Sequence, residues 1–226
     1  MLHVEILHRN TKDLQPFIQL PFDLYKGDSN WAPPVRRKLL DSLLSDENDL
    51  LAHSQPQFFL AYQGDTPIAR VMAGMDTHLG EGVGWFSLFE SEDNMDGVRA
   101  VLDAACAYLK EKGATQVVGP IAPQYDLLNR GLLVDAFDGL PVLHNPYNKA
   151  YYPALLEGYG FVKKRDYLAY QIPIADVPLE KMEPLAQKVE QRFNFRVEQI
   201  PSQFLVDRLC EVCPRLDAHV RHHREL

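Results

Sequence analysis

Cysteine is scarce, with three in 226 residues, an odd number and too few for the disulfide scaffolds that hold small secreted domains together. That points to a reducing, cytoplasmic setting. Long hydrophobic runs are missing too, since no stretch approaches the ~20 consecutive apolar residues that a membrane-spanning helix needs. Met1–Asn10 has neither the basic start nor the apolar run of a secretory signal. Positive charge is in deficit: Lys and Arg total 23 against 31 Asp and Glu, for a net charge of −8. This balance repels a phosphate backbone and excludes nucleic acid as the main partner. Internal repeats and low-complexity segments are also absent.

What remains is the composition of a soluble domain, 46% hydrophobic and 24% charged, long enough for one large core or two small ones. Leu2–Leu7 alternates apolar and polar residues as a half-buried strand does. Thr11 offers an N-cap for a helix through Leu14–Leu20, and Val35–Leu44 reads as a second helix after a stretch broken by Gly27, Asn30, Pro33 and Pro34. Phe58–Gln63 and Pro67–Met75 flank the turn Gly64-Asp65-Thr66 as a hairpin, and Gly82–Phe89 follows as a third strand of the meander. Val98, Val101, Leu102, Ala105, Tyr108 and Leu109 recur at helical spacing up to Gly113. Strand character returns at Gln116–Val118 and stops at Gly119-Pro120, a short helix is expected around Ala150–Glu157, and a last strand over Tyr167–Ile174.

This order predicts an α/β fold with a mixed sheet covered by helices on both faces. The first domain is expected over 1–177. Residues 178–226 read as a helical appendage or the start of a second unit, with helices at Leu179–Phe193 and Pro201–Leu216 around a short strand at Phe195–Ile200.

Two segments are unusually specific. One is Phe17-x3-Pro21-Phe22-x2-Tyr25-x2-Asp28-x2-Trp31-x-Pro33-Pro34. The other is Gly131-Leu-Leu-Val-Asp135-x-Phe137-Asp138, followed by Asn145-Pro-Tyr147-Asn148-x2-Tyr151-Tyr152 and Gly160-Phe161. With the element order, they resemble the GNAT-like acyl-CoA N-acyltransferases, and within them a bacterial subfamily related to the bacterial ceramide synthases. The resemblance runs over roughly Leu2–Ile174 and looks like an N-terminal half, because members usually carry a second GNAT-like half. It implies a mainly antiparallel GNAT-like sheet and transfer of an acyl group from a thioester, acyl-CoA, to an amine such as a long-chain base. A non-catalytic or truncated acyl- or pantetheine-binding module is the alternative. The expected partners are a small-molecule or lipid amine, with room for peripheral membrane contact and for a homodimer; no metal is expected.

Such chemistry needs a cradle for phosphates, a base for the amine and an acid for the departing thiolate. In the GNAT pattern the cradle is a glycine-rich loop opening the long helix, where free N–H groups and the helix dipole favour anions. The matching stretch here, Glu90-Ser-Glu-Asp-Asn94-Met-Asp96-Gly97, has one glycine and four carboxylates. Ser91, Asn94 and Gly97, with Asn148, are the candidate cofactor contacts; Ser91 and Asn94 serve equally as helix caps. Glu90 is placed where many GNAT enzymes keep a general base, or else belongs to a solvated acidic turn.

The resemblance puts a thiolate-protonating tyrosine four residues before Gly160, but Leu156 stands there. Tyr152, one helical turn earlier, is the substitute acid or an aromatic anchor of the helix. His144 is a second candidate base or a structural histidine. Asp126, Asp135 and Tyr147 are candidate contacts for the cationic acceptor, and solvated-loop positions otherwise. Cys210-x2-Cys213 with His219, His222 and His223 is read as neither a metal nor a redox site, and Cys106 as a buried small hydrophobe.

Overall fold

A computed structural model of the chain describes residues 1–121, 131–141, 145–170 and 172–194. Its contacts divide the chain into two compact units, Met1–Arg165 and Asp166–Leu226.

In the first unit, β1 (Leu2–Leu7) leads to α1 (Thr11–Leu24), α2 (Arg36–Leu44) and the single turn α3 (Asp49–Ala52). The meander β2 (Gln57–Gln63), β3 (Thr66–Met75) and β4 (Val83–Ser91) follows, then α4 (Met95–Glu111), β5 (Gln116–Ile121) and α5 (Tyr152–Tyr159). The five strands lie in sequence order in one sheet. β1 to β4 pair antiparallel, and β5 runs parallel to β4. This is the mixed, mainly antiparallel sheet expected from the sequence.

Strand alternation divides the core into two layers. Phe58, Leu60, Met72 and Trp85 face one side and pack with Leu14, Phe17 and Ile18 of α1 and Leu43 of α2. Phe59, Ala61, Val71, Ala73 and Phe86 face the other and pack with Val98, Val101, Leu102 and Ala105 of α4 and Leu155 and Leu156 of α5. Helices therefore cover both faces. Gly97 lets α4 sit down on β3, because a Cβ there would come within 2.8 Å of Ile68 Cδ1.

Several expectations shift. Asn10, rather than Thr11, caps α1, its side-chain oxygen accepting the Asp13 N–H at 2.9 Å. β5 runs on through Gly119 and Pro120 to Ile121. Cys106 is partly exposed rather than buried.

In the second unit, a 3₁₀ turn at Ile174–Asp176 precedes α6 (Leu179–Phe193), which ends at Asn194 in the left-handed region. The strand expected over Tyr167–Ile174 is not formed among its described residues. Its alternation is real, yet Tyr167, Leu168, Tyr170, Ile172 and Ile174 are all exposed. A strand needs a ladder partner and a face to bury, and periodicity supplies neither. The elements expected at Phe195–Ile200 and Pro201–Leu216, with Cys210, Cys213 and the three histidines, lie outside the described residues.

Candidate active site

The site grows from an irregularity in β4. Met72 pairs with Ser87 and Arg70 with Glu90, so Leu88 and Phe89 together oppose Val71. Leu88 takes a φ of 50°, and this extra residue inverts the alternation that follows. Phe89 turns into the α4 layer. Glu90 then lies on the same side as Arg70, where a regular strand would have pointed it into the opposite core.

Arg70 is 3% exposed and is fixed by a defect in α1. Pro21 has no N–H to give the carbonyl four residues earlier, Phe17, and Arg70 Nη1 donates to that carbonyl instead. The guanidinium also lies 4.7 Å from the centre of the Phe17 ring. Its Nη2 stands 3.9 Å from Glu90 Oε1, and Glu90 is itself 16% exposed.

Two buried phenols complete the carboxylate's surroundings. Tyr25, at the end of α1, and Tyr152, at the start of α5, both donate to Glu90 Oε2, at 3.0 and 2.7 Å. The β4–β5 ladder ends at Ser87 and Ile121, and α5 takes over beyond it. The Ser91 N–H donates to the Tyr152 oxygen at 2.9 Å, and Tyr151 donates to the Ser91 carbonyl at 2.8 Å.

Burial pushes the Glu90 carboxyl above its ordinary range, against the opposing pull of Arg70, the two phenols and Lys149. Burial likewise lowers Arg70, with Glu90 acting against it. Tyr25 and Tyr152 are raised by burial and by the Glu90 charge, so both stay protonated. Tyr151 is pushed up to about 12 by burial and by Asp93.

Next to this knot lies a second group. Lys149 Nζ is 3.1 Å from Asp28 Oδ2 and 4.6 Å from the centre of the Tyr25 ring. Tyr147 donates to both Asp28 oxygens, at 3.0 and 3.1 Å. Trp31 stacks on Tyr25, with ring centres 4.8 Å apart. Burial raises the Asp28 carboxyl, but the hydrogen bonds from Lys149 and Tyr147 outweigh it and hold the group below the usual carboxylate range.

Of the residues singled out from sequence, the fold brings Glu90, Ser91, Tyr152 and Tyr147 to this locality. Asn148 clamps the approach to α5, accepting from the Leu133 N–H at 2.6 Å and donating to the Leu133 and Lys149 carbonyls. Asp135 accepts the N–H of Ala136 and is exposed. Asp126 and His144 lie outside the described residues. Leu156 is buried in the core.

The start of α4 is capped by the chain's own groups. The Asn94 side chain already accepts the N–H groups of Asp96 and Gly97, both at 3.1 Å, and the Ser91 hydroxyl donates to the Glu92 carbonyl at 2.7 Å. Glu92, Asp93 and Asp96 add negative charge to the same turn.

Sequence reasoning gave no role to Arg70, Tyr25, Asp28 or Lys149. Three signals were available. Arg70 is a lone charge in the apolar run Ile68–Ala73, Pro21 stands four residues after Phe17, and Tyr25 and Asp28 belong to the motif that carried the resemblance.

Among known proteins, the chain is 30% identical over 192 residues to Protein YghO of Escherichia coli, covering 83% of this chain and 49% of that one. It is also 30% identical over 172 residues to the bacterial ceramide synthase of Caulobacter vibrioides, covering 74% and 44%. The chain thus spans about half the length of these relatives. A solved tandem GNAT protein from the clavulanic acid biosynthesis pathway aligns at 13% identity and a TM-score of 0.49, over 89% of this chain and 53% of that one. No family model matches. The likeness to the bacterial ceramide synthase thus extends beyond the motifs, over 74% of this chain.

Proposed function

We propose that this chain is the N-terminal GNAT-like lobe of an N-acyltransferase, taking an acyl group from a thioester, acyl-CoA, and passing it to the amine of a long-chain base. The observation that carries this reading is Glu90, pushed up by burial at the bulged end of β4 and shared by two neutral phenols.

The chemistry forms a C–N bond and breaks a C–S bond. The acceptor arrives as an ammonium, loses one proton to solvent before it attacks, and sheds a second as the C–N bond forms; a carboxylate whose pKa is raised by burial suits that second task. The tetrahedral intermediate then expels a thiolate that needs a proton. Tyr152 or Tyr25 gives one up and is resupplied by Glu90 through the hydrogen bond already in place, so the proton taken from the amine reaches the sulfur. Arg70 does not touch the reacting atoms. It is a positioning residue that holds Oε1 while the phenols hold Oε2. The N–H groups of the bulge in β4 are the candidate donors to the thioester oxygen.

The name of the ceramide synthase relative supports a lipid amine as acceptor. Among the described residues no helix is long and apolar enough to cross a membrane. The departure of the Asn94 turn from a phosphate cradle speaks against phosphates at that turn, and it is also the observation that favours a second reading, a binding module without turnover.

Calorimetric titration with free coenzyme A, acetyl-CoA and palmitoyl-CoA tests the donor. Binding of palmitoyl-CoA in preference to the other two is expected. Absence of binding by all three at about millimolar concentration, where mass action should raise the melting temperature, would remove coenzyme A thioesters from the account.

A further inference from the structure

Lys149 occupies a place whose chemistry is that of a receptor for a cation. The Asp28 carboxylate supplies the counter-charge at 3.1 Å, and the Tyr25 ring supplies a π-face at 4.6 Å. Tyr147 holds both oxygens of that carboxylate in position, and Trp31 stacks on Tyr25. The slot is joined to the proposed base through a single side chain, since the ring that faces the ammonium carries the hydroxyl that bonds Glu90 at 3.0 Å. It is also open to solvent: the Lys149 and Asp28 side chains keep 25% and 19% of their exposure.

We propose that Asp28, Tyr25, Tyr147 and Trp31 form the ammonium subsite for the acyl acceptor, and that Lys149 is a resident plug which the acceptor displaces. The inference rests on the acyltransferase reading and names how its acceptor is recognised. The ligand class follows from the occupant. Lys149 is itself a primary ammonium on a four-carbon stem, with its nitrogen over the Tyr25 ring and its charge on a carboxylate. An acceptor of the same kind, a primary ammonium on an apolar tail, makes the same contacts and brings its nitrogen to the edge of the Glu90 knot. A tethered lysine competes at high effective concentration, so only an acceptor with further apolar contacts displaces it. Lys149 thereby acts as a filter against small amines.

The filter makes a prediction of unusual sign, that deleting a lysine tightens binding of an amine. Hexylammonium is titrated by calorimetry into the wild-type chain and into Lys149→Ala, with hexan-1-ol as the uncharged control. The expected result is affinity roughly tenfold tighter for hexylammonium in Lys149→Ala, the scale of one cation–π contact plus one ion pair. No gain is expected for hexan-1-ol. The gain should vanish in the Lys149→Ala/Asp28→Asn double variant. Lys149→Met keeps the apolar stem and replaces Lys149→Ala if the latter fails to fold.

Equal affinity in wild type and variant, or a gain that survives loss of Asp28, overturns the subsite. Acyl-transfer assays on the same preparations separate the two ideas. The binding gain without amide formation keeps the subsite and sinks the acyltransferase reading. Amide formation without the gain does the reverse.

Discussion

Consider Glu90→Gln. Arg70 is 3% exposed and has Glu90 as its counter-ion, and among the described residues its Nε has no hydrogen-bond partner. Removing the Glu90 charge strands Arg70 but also relieves a desolvated carboxylate, so the net cost is only about 1 kcal/mol. The glutamine keeps one oxygen for the phenols but loses the charge that strengthens both bonds. For a chain of this length, ~1 kcal/mol lowers Tm by roughly 2–4 °C. Arg70→Met is destabilising for a different reason. It removes the donor to the Phe17 carbonyl, which Pro21 cannot replace, and costs about 1–3 kcal/mol. If the two residues form one unit, the double variant Glu90→Gln/Arg70→Met has no stranded charge and recovers about 1–3 kcal/mol of the summed losses. Urea unfolding of the four proteins measures this directly. Strict additivity would refute the claim that Arg70 and Glu90 act as a unit.

Other consequences are simpler to test. The folded-state pKa of Glu90 lies above its ordinary 4.5, so the native state holds the proton longer than the unfolded chain does. Its contribution to stability is full below that value and is lost as pH rises through the folded pKa. The Tm difference between wild type and Glu90→Gln, followed upward from about pH 4.5, should move in favour of the variant, and a flat difference contradicts the shift. Tyr152→Phe removes both a donor to Glu90 and the acceptor for the Ser91 N–H, and should cost about 1–3 kcal/mol in denaturant unfolding. Asn94→Ala should cost about 1 kcal/mol as a lost N-cap while leaving acyl-CoA affinity unchanged; a clear loss of affinity would show that phosphates do use this turn. Gly97→Ala should lower stability by about 1 kcal/mol through the Ile68 contact, and an increase would mean that helix propensity outweighs the crowding.

The elements up to α5, apart from the single turn α3, were legible because they bury a periodic face. The exception, Tyr167–Ile174, carries the right alternation without a ladder to join, which no local pattern reveals. Glu90 was reachable from its place in the GNAT pattern at the end of a strand, and Tyr152 from the motif that carries it. Arg70 was not used, although an arginine between Ala69 and Val71 is the mark of a charge buried with a partner. The bulge at Leu88 was invisible, since nothing in Ser87-Leu88-Phe89 marks a residue with positive φ. Yet that one residue decides which face Glu90 occupies. The link between Tyr25 and Glu90 spans 65 positions, and the link between Asp28 and Lys149 spans 121. Contacts of such separation are fixed by topology, and here they make the site.

The most direct test of the account is amide formation itself. Purified chain is incubated with palmitoyl-CoA and a sphingoid base, and the N-acyl product is quantified by mass spectrometry for wild type, Glu90→Gln and Tyr152→Phe. The account predicts product with wild type and a drop of roughly 10²–10⁴ in rate with Glu90→Gln, the usual worth of a general base. Product formed equally well by Glu90→Gln, or none from a folded wild-type chain that binds both substrates, would contradict it.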